Sequence, residues 1–185
     1  LMLHGYPQTH VMWHKVAPAL AAHFTLVIPD LRGYGASGKP PSDDSHAAYS
    51  KRAMAGDMVG LMDLLGFDDF AVLAHDRGGR VAHRLAVDHP TRVSKMVILD
   101  IAPTREMYAN TTAGFATAYW HWFWLIQPAP FPETQINADP LFYLRKKLGS
   151  WGTGPTPFAP EAMAVYEAAI QNPETVHAMC EDYRA

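Results

Sequence analysis

One cysteine, Cys180, stands in 185 residues, which excludes an internal disulfide framework. No apolar run approaches the ~20 residues that a bilayer-spanning helix requires, so no membrane partner is expected. Charge of one sign is scarce as well. Fifteen Lys and Arg against 18 Asp and Glu leave a net charge of -3, without the basic surface that nucleic acid demands. The ten histidines are scattered along the chain and the single cysteine leaves no Cys/His zinc motif, and neither a metal nor a cofactor is expected. The glycine-rich residues 30–37 lack the Gly-Lys-Ser/Thr ending of a phosphate loop, and their glycine spacing is wrong for one. What remains is 49% hydrophobic and 18% charged, the composition of a single globular domain with a sizeable core.

The most informative stretch is FAVLAHDRGGR at 70–80. Residues 70–74 are a short apolar run of the length of a buried strand. Residues 81–87 carry apolar side chains at helical spacing. The glycines Gly78 and Gly79 lie between, so the pattern predicts strand, very tight turn, helix, with Asp76 at the apex. A nucleophile elbow has the form small-x-nucleophile-x-Gly, matched here by Ala74 to Gly78. An aspartate at that point can attack carbon and form an ester. Read alone, the same residue also fits a helix N-cap.

Taken in order, residues 1–5 read as the end of a strand entering a loop, so the lack of a leader peptide carries no information. A helix is predicted over 12–22 with Trp13, Val16 and Leu20 inward, and a strand over 24–29. Residues 39–50 are a polar loop, and 52–65 a helix with Met54, Met58, Leu61, Met62 and Leu65 on its buried face. A further strand spans 93–99 and ends at Asp100. Alternating strands and helices imply an α/β fold with a mainly parallel sheet, whose sites lie beyond the C-terminal strand ends. Asp76 and Asp100 both fall at such ends, so two carboxylates should flank one crevice, unless Asp100 is an ordinary loop carboxylate. After Pro103 the alternation stops. Helices are predicted over 115–126, 138–148, 160–171 and 174–183, with Pro128, Pro130 and Pro132 as breaks.

Residues 75–80, HDRGGR, resemble the elbow of the α/β-hydrolase-fold haloacetate dehalogenases, the fluoroacetate dehalogenase group, and the resemblance extends over nearly the whole chain. It implies a core at 1–102 and a helical cap at 103–185. It makes Asp76 the nucleophile and Asp100 the acid that orients a catalytic histidine. The backbone N–H groups of Tyr6, in the His-Gly-aromatic-Pro loop, and of Arg77 would form the oxyanion hole. Arg77 and Arg80 would hold the substrate carboxylate, since a planar guanidinium orients it better than lysine does. His121, Trp122 and Tyr183 would hold the halide, and Trp151 would line the pocket. The implied protein is a cytoplasmic enzyme without cofactor, acting on a small haloacid and pairing as a homodimer. None of the ten histidines falls where the family's catalytic one is expected. The first strands and the C-terminal core are therefore expected to be missing, and with them the step that releases product. An epoxide hydrolase shares the nucleophile, but usually has tryptophan at the Arg77 position and needs cap tyrosines. A non-catalytic binding protein of the same fold is the third reading.

Overall fold

The computed structural model describes residues 1–149 and 157–185. Among them the strands β1 (Met2–Leu3), β2 (Phe70–His75) and β3 (Val93–Leu99) form a parallel sheet in the order β1-β2-β3. Met2 lies opposite Leu73, and His75 opposite Leu99, so β2 and β3 end side by side. The helices α1 (Ala17–Ala21), α2 (Lys51–Leu64) and α3 (Arg77–Asp88) accompany these strands. Ser50 caps α2 by accepting the Ala53 N–H at 3.2 Å, and Met54, Met58 and Met62 form its buried stripe. Leu61 and Leu65 of the predicted face stay partly or largely exposed. On α3 the inward face is Val81, Ala82 and Leu85, all fully buried. Fully burying Val81 or Leu85 contributes about 1.5–3 kcal/mol each, and the single methyl of Ala82 about 0.8 kcal/mol.

Beyond β3 the described residues are helical: α4 (Thr104–Ala109), α5 (Ala113–Ala118), α6 (Trp120–Leu125), α7 (Phe131–Ala138), α8 (Pro140–Gly149), α9 (Pro160–Ile170) and α10 (Pro173–Arg184). α8, α9 and α10 each start on a proline, where the missing N–H costs nothing and the fixed φ favours the first turn. Pro132 likewise sits in the first turn of α7 rather than breaking it. α10 packs against α6, α7 and α9. Among the described residues no helix is long and apolar enough to cross a membrane.

Three predicted elements differ. The helix expected over 12–22 is a 3-10 turn at His10–Trp13 followed by the short α1, because Pro18 supplies no N–H to carry the earlier turn into it. Trp13 is buried as expected, but Val16 is exposed. Residues 24–29 run beside β1 and are held by the Met2 N–H to the Val27 carbonyl at 2.8 Å, without a regular ladder. The helix expected over 115–126 is interrupted at Tyr119, which ends α5 and precedes α6. β3 also departs from the usual burial of parallel strands on both faces: Met96, Val97 and Leu99 are exposed.

Candidate active site

β2 stops at His75, α3 begins at Arg77, and Asp76 makes the whole turn between them with φ 48° and ψ -119°. A positive φ at a non-glycine residue costs about 1–3 kcal/mol and persists when its surroundings enforce it. Two glycines supply the room. A Cβ on Gly78 would lie 2.7 Å from the Leu3 carbonyl oxygen and nearer still to that of His4. A Cβ on Gly5 would lie 2.5 Å from the Asp76 Cβ. Asp76 stands at the N-cap position of α3, yet its side chain makes no capping hydrogen bond. Its Oδ1 instead accepts the backbone N–H of Tyr6 at 2.9 Å. The N–H expected to serve an oxyanion thus already holds the carboxylate from which that oxyanion would form.

Asp76 faces a cavity of about 590 Å³, and Asp100, on the neighbouring strand end, lines it too. Asp100 is exposed and also has a positive φ, 52°. The opposite wall comes from the helices: His121 and Trp122 of α6, Lys147 of α8 and Tyr183 of α10. The Tyr183 hydroxyl is buried and has no hydrogen-bond partner among the described residues. Burial, then the charge of Asp76, raises its pKa well above the ordinary value, so it stays protonated and able to donate. His121 is pushed down to about 2, by burial first and then by the charges of Lys147 and Arg77, so its ring is neutral. The Tyr6 ring stacks on His121 at 6.0 Å and meets Tyr183 edge-on at 5.1 Å. His75 lines the cavity as well.

The two arginines stand behind this aromatic wall. The Arg77 guanidinium lies 4.0 Å from the Tyr183 ring centroid, and that of Arg80 lies 4.5 Å from the Trp122 ring. Arg77 forks onto Asp182, Nε to Oδ2 at 2.9 Å and Nη2 to Oδ1 at 3.0 Å, and lines a second cavity of about 480 Å³ with Lys51. Asp182 is fully buried and also accepts from Lys51 and, at 2.6 Å, from the Tyr34 hydroxyl. Burial disfavours its charge, but Arg77 and Lys51 outweigh burial and hold its pKa well below the ordinary range. Arg80 donates to the Thr104 hydroxyl and, at 3.4 Å, to the Met107 sulfur, while its Nε has no partner among the described residues. Trp151 lies outside the described residues; Leu148 and Phe158, on either side of that segment, line the Asp76 cavity. Among the described residues no cluster of His, Cys, Asp or Glu is arranged to hold a metal ion.

Lys147 and Asp182 belong to this constellation and escape a reading based on motifs. Each does leave a trace. Lys147 falls three residues after Leu144 and next to Leu148, on the apolar face of α8. Asp182 follows Ala178 and Met179 at helical spacing, on the buried face of α10. A charged group on the apolar side of an amphipathic helix is buried with a partner or a purpose.

A parallel sheet, a strained strand-to-helix turn with an acid at its apex, and a helical wall across the cavity define a class. The chain matches the alpha/beta hydrolase fold family over residues 1–175 and belongs to it. Within that class it is similar to a fluoroacetate dehalogenase of a Burkholderia species, 49% identical over 186 residues, which cover 100% of this chain and 61% of that protein. It is 33% identical to a soluble epoxide hydrolase of a Corynebacterium strain, covering 99% of this chain and 63% of the relative. Among solved structures, a putative alpha/beta hydrolase from a Nostoc species superposes with a TM-score of 0.97 at 58% identity, covering 99% of this chain and 63% of that one. The chain therefore spans less than two thirds of the length of these relatives.

Proposed function

We propose that the protein hydrolyses the carbon–halogen bond of a haloacetate, fluoroacetate to glycolate and halide, through an ester on Asp76. The observation that carries this reading is the cavity in which Asp76, held by the Tyr6 N–H, faces His121, Trp122 and Tyr183. With Oδ1 engaged, Oδ2 attacks the CH2 carbon as the carbon–halogen bond breaks on the far side. The halide leaves with the bonding pair and meets ring N–H and hydroxyl donors, which act where charge develops. Water then attacks the ester carbonyl, whose oxyanion is the oxygen beside the Tyr6 N–H. Glycolate leaves, Asp76 is restored, and one proton passes to solvent through a base that Asp100 orients. Arg77 and Arg80, behind Tyr183 and Trp122, supply positive potential toward the substrate carboxylate. The helices beyond Pro103 act as the cap that keeps the cavity dry.

A single turnover in oxygen-18 water tests the scheme. Ester formation places the heavy oxygen in Asp76, detectable by mass spectrometry of its peptide, and leaves the first glycolate unlabelled. Label in the glycolate with none in Asp76 means direct attack by water and removes the nucleophile role.

One feature favours a second reading. The phenols of Tyr119 and Tyr183 line the same cavity, and phenols can protonate an epoxide oxygen. Turnover of an aryl epoxide without halide release from fluoroacetate or chloroacetate would select that reading.

A further inference from the structure

The Lys147 side chain is buried, with the residue 7% exposed, and it lines the cavity that holds Asp76. Its Nζ lies 3.2 Å from the Nδ1 of His121. An ammonium has three donors and no acceptor, so in this contact Nδ1 must accept. A neutral imidazole that accepts at one nitrogen carries its proton on the other. Burial lowers the Lys147 pKa to about 8 while the Asp76 carboxylate opposes the change, so at neutral pH the lysine remains charged for most of the time. The same positive charge, together with burial, keeps His121 from becoming an imidazolium. His121 therefore has one ring N–H, and its placement decides whether the ring offers a donor or a repelling lone pair to an anion.

We infer that Lys147 is a positioning residue: its bond to Nδ1 holds the proton of His121 on Nε2 and makes that nitrogen a fixed donor to the departing halide. The tautomer follows from the contact itself, whereas its use on a halide rests on the function proposed above. Fluoride accepts hydrogen bonds far more strongly than chloride, so the loss of a fixed donor is felt most on fluoroacetate.

Nitrogen-15 spectra of histidine-labelled full-length protein, with the His121 signals assigned through His121→Gln, read the tautomer directly. The expected result is a protonated Nε2 with an unprotonated Nδ1, and a mixture of tautomers in Lys147→Met. Kinetically, Lys147→Met should lower kcat on fluoroacetate about 100-fold, chloroacetate clearly less, with KM little changed, and Lys147→Arg should recover most of the loss. A wild-type signal from an Nδ1–H tautomer or an imidazolium overturns the inference, and that measurement stands even if Lys147→Met does not fold. Equal losses on the two substrates with an unchanged tautomer also overturn it. A protein with the Nε2–H tautomer that releases no halide refutes the dehalogenase reading and leaves the lysine's hold on His121 in place.

Discussion

Replacing Asp182 by Asn keeps the shape of the side chain and removes its charge. Asp182 is 0% exposed, and three groups converge on it: the Arg77 guanidinium, the Lys51 ammonium and the Tyr34 hydroxyl. In Asp182→Asn two cations stay buried with no counter-charge at that point. Removing one partner of a buried ion pair costs about 3–5 kcal/mol, because the remaining charge is neither hydrated nor neutralised. For a domain of this size each kcal/mol lowers Tm by about 2–4 °C, so a fall of roughly 6–20 °C is expected at pH 7. Its dependence on pH carries a sign. The folded pKa of Asp182 lies below its unfolded value, so its contribution is fully present above the unfolded value of about 3.9 and fades as pH falls through and below it. The deficit of the variant should therefore shrink in acid. Lys51 behaves oppositely. Burial first and Arg77 next lower its pKa to about 8, and losing Asp182 lowers it further. Shedding that proton relieves the variant, so the deficit should also narrow as pH rises above neutrality. Thermal or urea unfolding across pH 3 to 10 reads both limbs. A deficit under about 1 kcal/mol at pH 7, the size of a surface ion pair, would refute the reasoning.

Gly5→Ala should cost about 1–3 kcal/mol of stability through overpacking against Asp76, and lower halide release about 100-fold or more through displacement of that carboxylate. Thermal unfolding beside a halide assay separates the two effects. Arg80→Met should raise KM for fluoroacetate about 10-fold, equivalent to about 1.4 kcal/mol, through loss of its positive potential behind Trp122, and should leave a neutral haloalkane nearly unaffected. Equal losses on both would assign Arg80 to support of the Trp122 wall alone.

The elbow was readable in the sequence because each of its requirements is local. An apolar run of strand length, small residues at the turn and a helical repeat after it lie within residues 70–87. The neighbouring ends of β2 and β3 followed from topology rules for parallel sheets. The first helix was misread because hydrophobic spacing at Trp13, Val16 and Leu20 suggested continuity that the proline at 18 does not permit. The strand over 24–29 was misread because apolar content alone does not provide a partner with matching register. The contacts behind the cavity were illegible for a different reason. The pairing of Arg77 with Asp182 spans 105 residues, and that of His121 with Lys147 spans 26, and no local pattern names the partner of a charge.

The Arg77–Asp182 pair has a geometric consequence. Asp76 precedes one half of it in the chain, and Tyr183 follows the other. In the proposed reaction these two residues stand at opposite poles of one carbon, the first forming a bond and the second receiving what departs. A single clasp between their immediate neighbours thus sets the gap between attack and departure, independently of how the intervening hundred or so residues wind. In that proposed reaction, changes at Leu148 and Phe158, which line the cavity but belong neither to this clasp nor to the halide donors, can alter which acids enter while leaving that gap untouched. Substrate size and bond-breaking geometry are in this way adjustable by separate parts of the chain.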